Sequence, residues 1–181
     1  MSEMLPTDEL REEHKVAVAL VRELADAVSR VKGGEACGER EAIEGARERA
    51  LEVQKVLHLH FGKEEEGLFP DVLVVASRGA PRVDILTQFF SEEADDDLKA
   101  HTLLRRRMKD MLSLLEGALQ SGRCEEATAA RLGTLMGLSK DLLERHATKE
   151  HELIFPLIER LLDDAQLAAV RERMRAISRG C

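Results

Sequence analysis

One pattern recurs in this chain and constrains its topology more tightly than any other feature. Residues 60–70, HFGKEEEGLFP, and residues 146–156, HATKEHELIFP, both read His-x-x-Lys-Glu-x-Glu-x-[Leu/Ile]-Phe-Pro. The copies lie 86 residues apart, while His14 and His101 lie 87 apart, as do Cys37 and Cys124. Each half is therefore a helical hairpin with one early and one late histidine. Two such hairpins packed about a pseudo-twofold axis bring equivalent residues face to face, so any site is built twice from similar parts.

Apolar residues recur at helical spacing through four long segments. The first, about residues 7–32, aligns Leu10, His14, Val18, Val21, Ala25 and Val28, with Thr7 as its N-cap and Gly33-Gly34 as its end. The second, about 39–66, aligns Ile43, Ala46, Ala50, Val53, Leu57, His60 and Glu64. The third, about 92–120, aligns Ala94, Leu98, His101, Leu104, Met108, Leu112, Leu115 and Leu119. The fourth, about 126–162, aligns Leu135, Leu138, Leu142, His146, Glu150, Leu153 and Leu157. No β-branched or aromatic run alternates with period two, so no strands are expected. The expected fold is all-α: an up-down-up-down four-helix bundle over about 7–162, with a short fifth helix over about 164–177. The apolar connection 67–91 is expected to hold short helical pieces over one bundle end, and with no linker in sight residues 1–181 read as a single domain.

Composition then removes several function classes. With 35 acidic against 27 basic residues the formal charge is −8, which argues against nucleic acid or an anionic membrane as partner. The opening MSEMLPTDELREE has no apolar signal region, and no run approaches the roughly 18 apolar residues of a spanning helix, so a cytoplasmic location is expected. Three cysteines without a CxxC pair, Cys37, Cys124 and Cys181, suit a reducing compartment and read as solvent-facing thiols away from the histidines. Tyr and Trp are both absent, so polar chemistry rests on the remaining side chains.

Residues four apart on a helix differ by only about 40° in direction, so His60 with Glu64, and His146 with Glu150, each present an imidazole and a carboxylate to one face. His14 and His101 lie in the apolar stripes, and helix direction puts all four histidines at one level of the bundle. Two carboxylates buried beside Leu and Val would cost several kcal/mol each without compensation, and cations supply it more economically than a hydrogen-bond network of His and Glu. His58 and His151 are expected to face outward, Glu65, Glu66 and Glu152 to form a solvated face, and Asp97 to bind metal or hold the His101 ring. Imidazole and carboxylate without thiolate suit Fe, Mn or Zn, and six ligands exceed one tetrahedral Zn site. Two irons bridged by both carboxylates and by an oxide or hydroxide would each keep an open position.

In order and spacing, His14, His60-x-x-x-Glu64, His101 and His146-x-x-x-Glu150, each late pair followed by Phe-Pro, resemble the hemerythrin-like family, also called the HHE cation-binding domain. The resemblance covers about residues 7–160 and implies a non-haem di-iron centre in a four-helix bundle, with Glu64 and Glu150 as bridges. Oxygen-carrying members have a further histidine on the third helix, where this chain has Asp97 and Arg105 one turn either side of His101. The resemblance therefore points to the bacterial proteins linked to nitric oxide, peroxide or iron-centre repair. The expected partners are a diatomic or peroxide ligand (O2, NO or H2O2) and an electron donor of unspecified kind, in a monomer or homodimer. The competing expectation is an oxygen, NO or iron sensor, or an iron-binding module, without turnover.

Overall fold

The computed structural model describes residues 4–31, 39–77 and 83–180, with side chains at all of these except 76, 77 and 83–97. The expectations for Gly33-Gly34, Cys37, the Asp97 side chain and Cys181 lie outside what is described. No strand occurs among the described residues. The helices are α1 (Pro6–Ser29), α2 (Glu39–Gly62), α3 (Phe69–Ser77), α4 (Val83–Ser121), α5 (Glu126–Lys149), α6 (Phe155–Leu161) and α7 (Asp164–Gly180). Two π-helical segments, Lys63–Leu68 and Glu150–Ile154, join α2 to α3 and α5 to α6, and each falls on one copy of the repeat. No described helix is long and apolar enough to cross a membrane.

Helix ends follow from local chemistry, with two departures from expectation. α1 starts at Pro6, whose fixed φ suits the first helical position and whose missing N–H is not needed there. The Leu5 carbonyl accepts from Asp8 and Glu9, so Thr7 is not the cap; it is buried in the first turn and donates to Glu159 Oε1 at 2.7 Å. α4 begins at Val83 rather than near residue 92, because no Gly or Pro stands between Pro81 and residue 92 to interrupt it. It ends at Ser121, where Gly122 takes φ +73°, a left-handed conformation that glycine adopts without penalty.

Cα packing divides the chain into two compact units, one of Met1–His14, His58–His101 and His146–Cys181, the other of Lys15–Leu57 and Thr102–Arg145. The second buries an apolar interior that includes Leu24, Ile43, Leu57, Met108, Leu115 and Leu132. Cys124 is buried there, not solvent-facing, and burial pushes its thiol pKa up, helped by Glu39 and Glu125. In α5 the buried stripe is Leu132, Met136, Ser139 and Leu143, whereas Leu138 is exposed. A stripe stepping by four, as 138, 142, 146 does, drifts about 40° per step, while alternating steps of three and four stay on the core face. Leu98 and Leu153 are likewise exposed.

The first unit has an apolar core of Leu10, Leu68, Phe69, Phe155, Ile158 and Val170, among others. Helix α7 packs on the first π segment. Gly67 permits this approach, since a Cβ there would lie 2.9 Å from Met174 Cγ. Arg173 donates to the Gly67 carbonyl at 3.1 and 3.2 Å and pairs with the Asp71 carboxylate.

Candidate metal centre

The first unit brings His14, His60, Glu64, His101, His146 and Glu150 together, all buried. Within each hairpin the two histidines point Nε2 at Nε2: His14 and His60 at 2.8 Å, His101 and His146 at 3.2 Å. Glu64 places Oε1 3.2 Å from His60 Nε2 and 3.9 Å from His14 Nε2, and Oε2 3.2 Å from His101 Nε2. Glu150 Oε2 lies 3.1 Å from His14 Nε2 and 3.5 Å from His146 Nε2. Each carboxylate therefore reaches imidazoles of both hairpins. Ligand atoms of His14, His60, Glu64, His146 and Glu150 lie within 4.8 Å of one another, and His101 joins them through Glu64 and His146.

This donor set fits a cation better than a hydrogen-bond network. Both oxygens of Glu64 are fully buried and close to imidazole nitrogens, yet neither has an aligned hydrogen bond. Imidazole nitrogens facing each other at 2.8 Å need a proton or a metal between them. Without metal, protons take that place. Burial disfavours charge on His60 and His101, but Glu64, with Glu13 beside His60 and Glu65 beside His101, outweighs it and raises them to about 10 and about 9. Burial and the neighbouring His60 charge push His14 down to about 4. Glu64 stays well below the ordinary carboxylate range, because the charges of His60 and His101 overcome its burial.

The sequence signature of the hemerythrin HHE cation-binding domain matches residues 5–158. The chain belongs to this family. No curated protein matches it. The matched span closes inside α6, so α7, which packs on the π segment carrying Glu64, lies beyond it.

In this HHE domain the π segments decide which further side chains reach the histidines. Phe69 N–H bonds the Glu64 carbonyl, and Phe155 N–H the Glu150 carbonyl, each an i→i−5 bond. Pro70 and Pro156 follow at once; a proline has no N–H to continue the α pattern, and its ring crowds the carbonyl four residues back, so the preceding turn widens. Glu65 and His151 stand inside these widened segments, where the 100° per residue of an α-helix no longer gives a side chain's direction. Both were expected on the surface; both are half-buried instead. Glu65 Oε1 accepts from His101 Nδ1 at 2.8 Å, and His151 Nε2 lies 3.0 Å from His14 Nδ1. Glu66, Glu152 and His58 are exposed, as expected.

Two further residues, Glu13 and Phe61, contact the histidines. Glu13 accepts from His60 Nδ1 at 3.0 Å and pairs with buried Lys63, which also reaches Glu9 at 2.7 Å. Burial raises the Glu13 carboxyl, but hydrogen bonds from His60 and Lys63 bring it below its ordinary value. Phe61 stacks on His101 with ring centroids 3.9 Å apart and planes 15° from parallel. Adjacency to a ligand in sequence, as Glu13 is to His14 and Phe61 to His60, is the one cue that was on offer.

Proposed function

We propose that this HHE domain holds two irons bridged by an oxide or hydroxide, and binds and reacts with O2, NO or peroxide. In this reading His14 and His60 serve one iron, His101 and His146 the other, and Glu64 and Glu150 bridge them. The observation that carries it is the reach of each carboxylate to imidazoles of both hairpins, with the Nε2 atoms of each hairpin facing one another. Nitrogen and carboxylate oxygen without thiolate suit iron, which would supply redox chemistry and open positions for a small ligand. The protein's part is to hold the donors in place and keep water out: Phe61 and Phe155 lie fully buried against the histidines.

The proposal includes the up-down-up-down bundle as one domain. In support, Lys63 with Glu9 and His60 with Glu13 pair α1 antiparallel to the α2 hairpin arm, and Thr7 with Glu159 and His14 with His151 do the same for α1 and the α5–α6 arm. Cys124 with Glu39 and Arg47 with Glu116 run α2 antiparallel to the α4–α5 corner.

The test is metal content together with the ultraviolet-visible spectrum of protein purified under air. About two irons per chain with oxo-to-iron charge-transfer bands support the proposal. Zinc alone, or no metal after anaerobic iron loading, overturns it. Sustained consumption of peroxide or NO then distinguishes an enzyme from a binder, which shows only a stoichiometric spectral change.

A further inference from the structure

Glu65 and His151 occupy the same position in the two repeats, each in a π segment, and each crosses to the early histidine of the other hairpin. The crossing is symmetric, but the chemistry is not. His101 donates Nδ1–H to a carboxylate and carries Phe61 stacked on its face at 3.9 Å. His14, its counterpart, meets another imidazole at Nδ1, and among described residues the Phe ring stacked on it, Phe155, has its centroid 6.0 Å away. With His14 Nε2 given to the proposed metal, its Nδ1 would bear the proton and His151 Nε2, 3.0 Å away, would be the acceptor. Glu13, which holds His60, is likewise unmatched: the equivalent of Glu13 in the second hairpin is Ala100.

From this geometry we infer that His151 and Glu65 are positioning residues that make the two metal positions of the duplicated site unequal. His151 orients His14 and thereby the position formed with His60; Glu65 orients His101 and thereby the position formed with His146. A carboxylate acceptor makes its imidazole a stronger donor than an imidazole acceptor does, and it fixes the ring more firmly. The inference rests on the two-metal function proposed above.

The test loads the full chain with 57Fe and reads iron content and Mössbauer spectra. Wild type is expected to show two quadrupole doublets of equal area. His151→Leu is expected to move one doublet alone and weaken retention of that iron by ~10–100-fold against a chelator. Glu65→Leu is expected to move the other, and His58→Leu, at an exposed position, neither. His151→Gln keeps an acceptor and is expected to restore iron retention while still shifting its own doublet, which decides the matter should His151→Leu fail to fold. A single doublet in wild type, or an H151Q or H151L protein with both irons unchanged or both shifted alike, overturns the inference alone. A wild-type chain that takes up no pair of irons overturns the proposed function, and this inference with it.

Discussion

Glu64 is fully buried, with an imidazole nitrogen 3.2 Å from each of its oxygens and no aligned hydrogen bond. A buried carboxylate so arranged is satisfied by a cation or by imidazolium, and by little else. Glu64→Ala is therefore expected to lose about one of the two metals proposed above by elemental analysis, whereas exposed Glu66→Ala keeps both. Proton balance gives a second check. At pH 7.5 metal-free His60 and His101, raised to about 10 and about 9, carry protons that metal ligation must displace, while His14, lowered to about 4, does not. Loading metal in weak buffer is expected to release about two protons from these residues, measurable with an indicator dye. The same values set the sign of pH-dependent stability. His60 and His101, raised from 6.5, stabilise the metal-free fold fully below pH 6.5 and lose that contribution as pH rises through 9 to 10; His14, lowered from 6.5, contributes above pH 6.5 and loses it as pH falls through 4. Metal-free protein is thus expected to show an alkaline fall in melting temperature that metal-loaded protein lacks.

At the scale of elements, the two π segments separate what the sequence discloses from what it conceals. His60 with Glu64 and His146 with Glu150 are legible because four-residue spacing inside a repeat survives any small change in helical pitch. Glu65 and His151 are not, because reading the chain at 100° per residue points them to solvent, and both stand inside π segments, where that angle does not hold. The α5 register differs from the sequence expectation because leucines populate more than one face, and only alternating steps of three and four mark the buried one. Helix α7 was legible as a helix, but its tie to the site was not, since it depends on a missing side chain at Gly67. Gly67→Ala would press a methyl against Met174 and is expected to lower stability by about 1–3 kcal/mol in chemical denaturation. Gly137→Ala, in the exposed middle of α5 with open space around it, is expected to raise stability by up to about 1 kcal/mol. Opposite signs for one substitution would separate close approach from ordinary helix propensity.

For the molecule as a whole, the two compact units differ in what holds them. Among described residues the unit of Lys15–Leu57 and Thr102–Arg145 buries no histidine, carboxylate or cation, and its interior of Leu, Ile, Val and Met needs no ion. The other unit surrounds four imidazoles and two carboxylates with the core of Leu68, Phe69, Phe155, Ile158, Val170 and Met174, so its order depends on how those charges are compensated. Anything that binds only the folded state stabilises by mass action, and a bound metal does so where its ligands are. Chelation is thus expected to act unevenly. Backbone amides of Leu68–Val72, Ile154–Ile158 and Leu167–Met174 should exchange hydrogen faster in metal-free protein, while those of Ala46–Val53 and Met108–Leu115 keep their protection. Hydrogen exchange resolved by mass spectrometry reads both sets in one experiment. A uniform loss of protection would mean that the apolar unit also needs the metal, and equal protection with and without metal would mean that the buried imidazoles and carboxylates satisfy one another unaided.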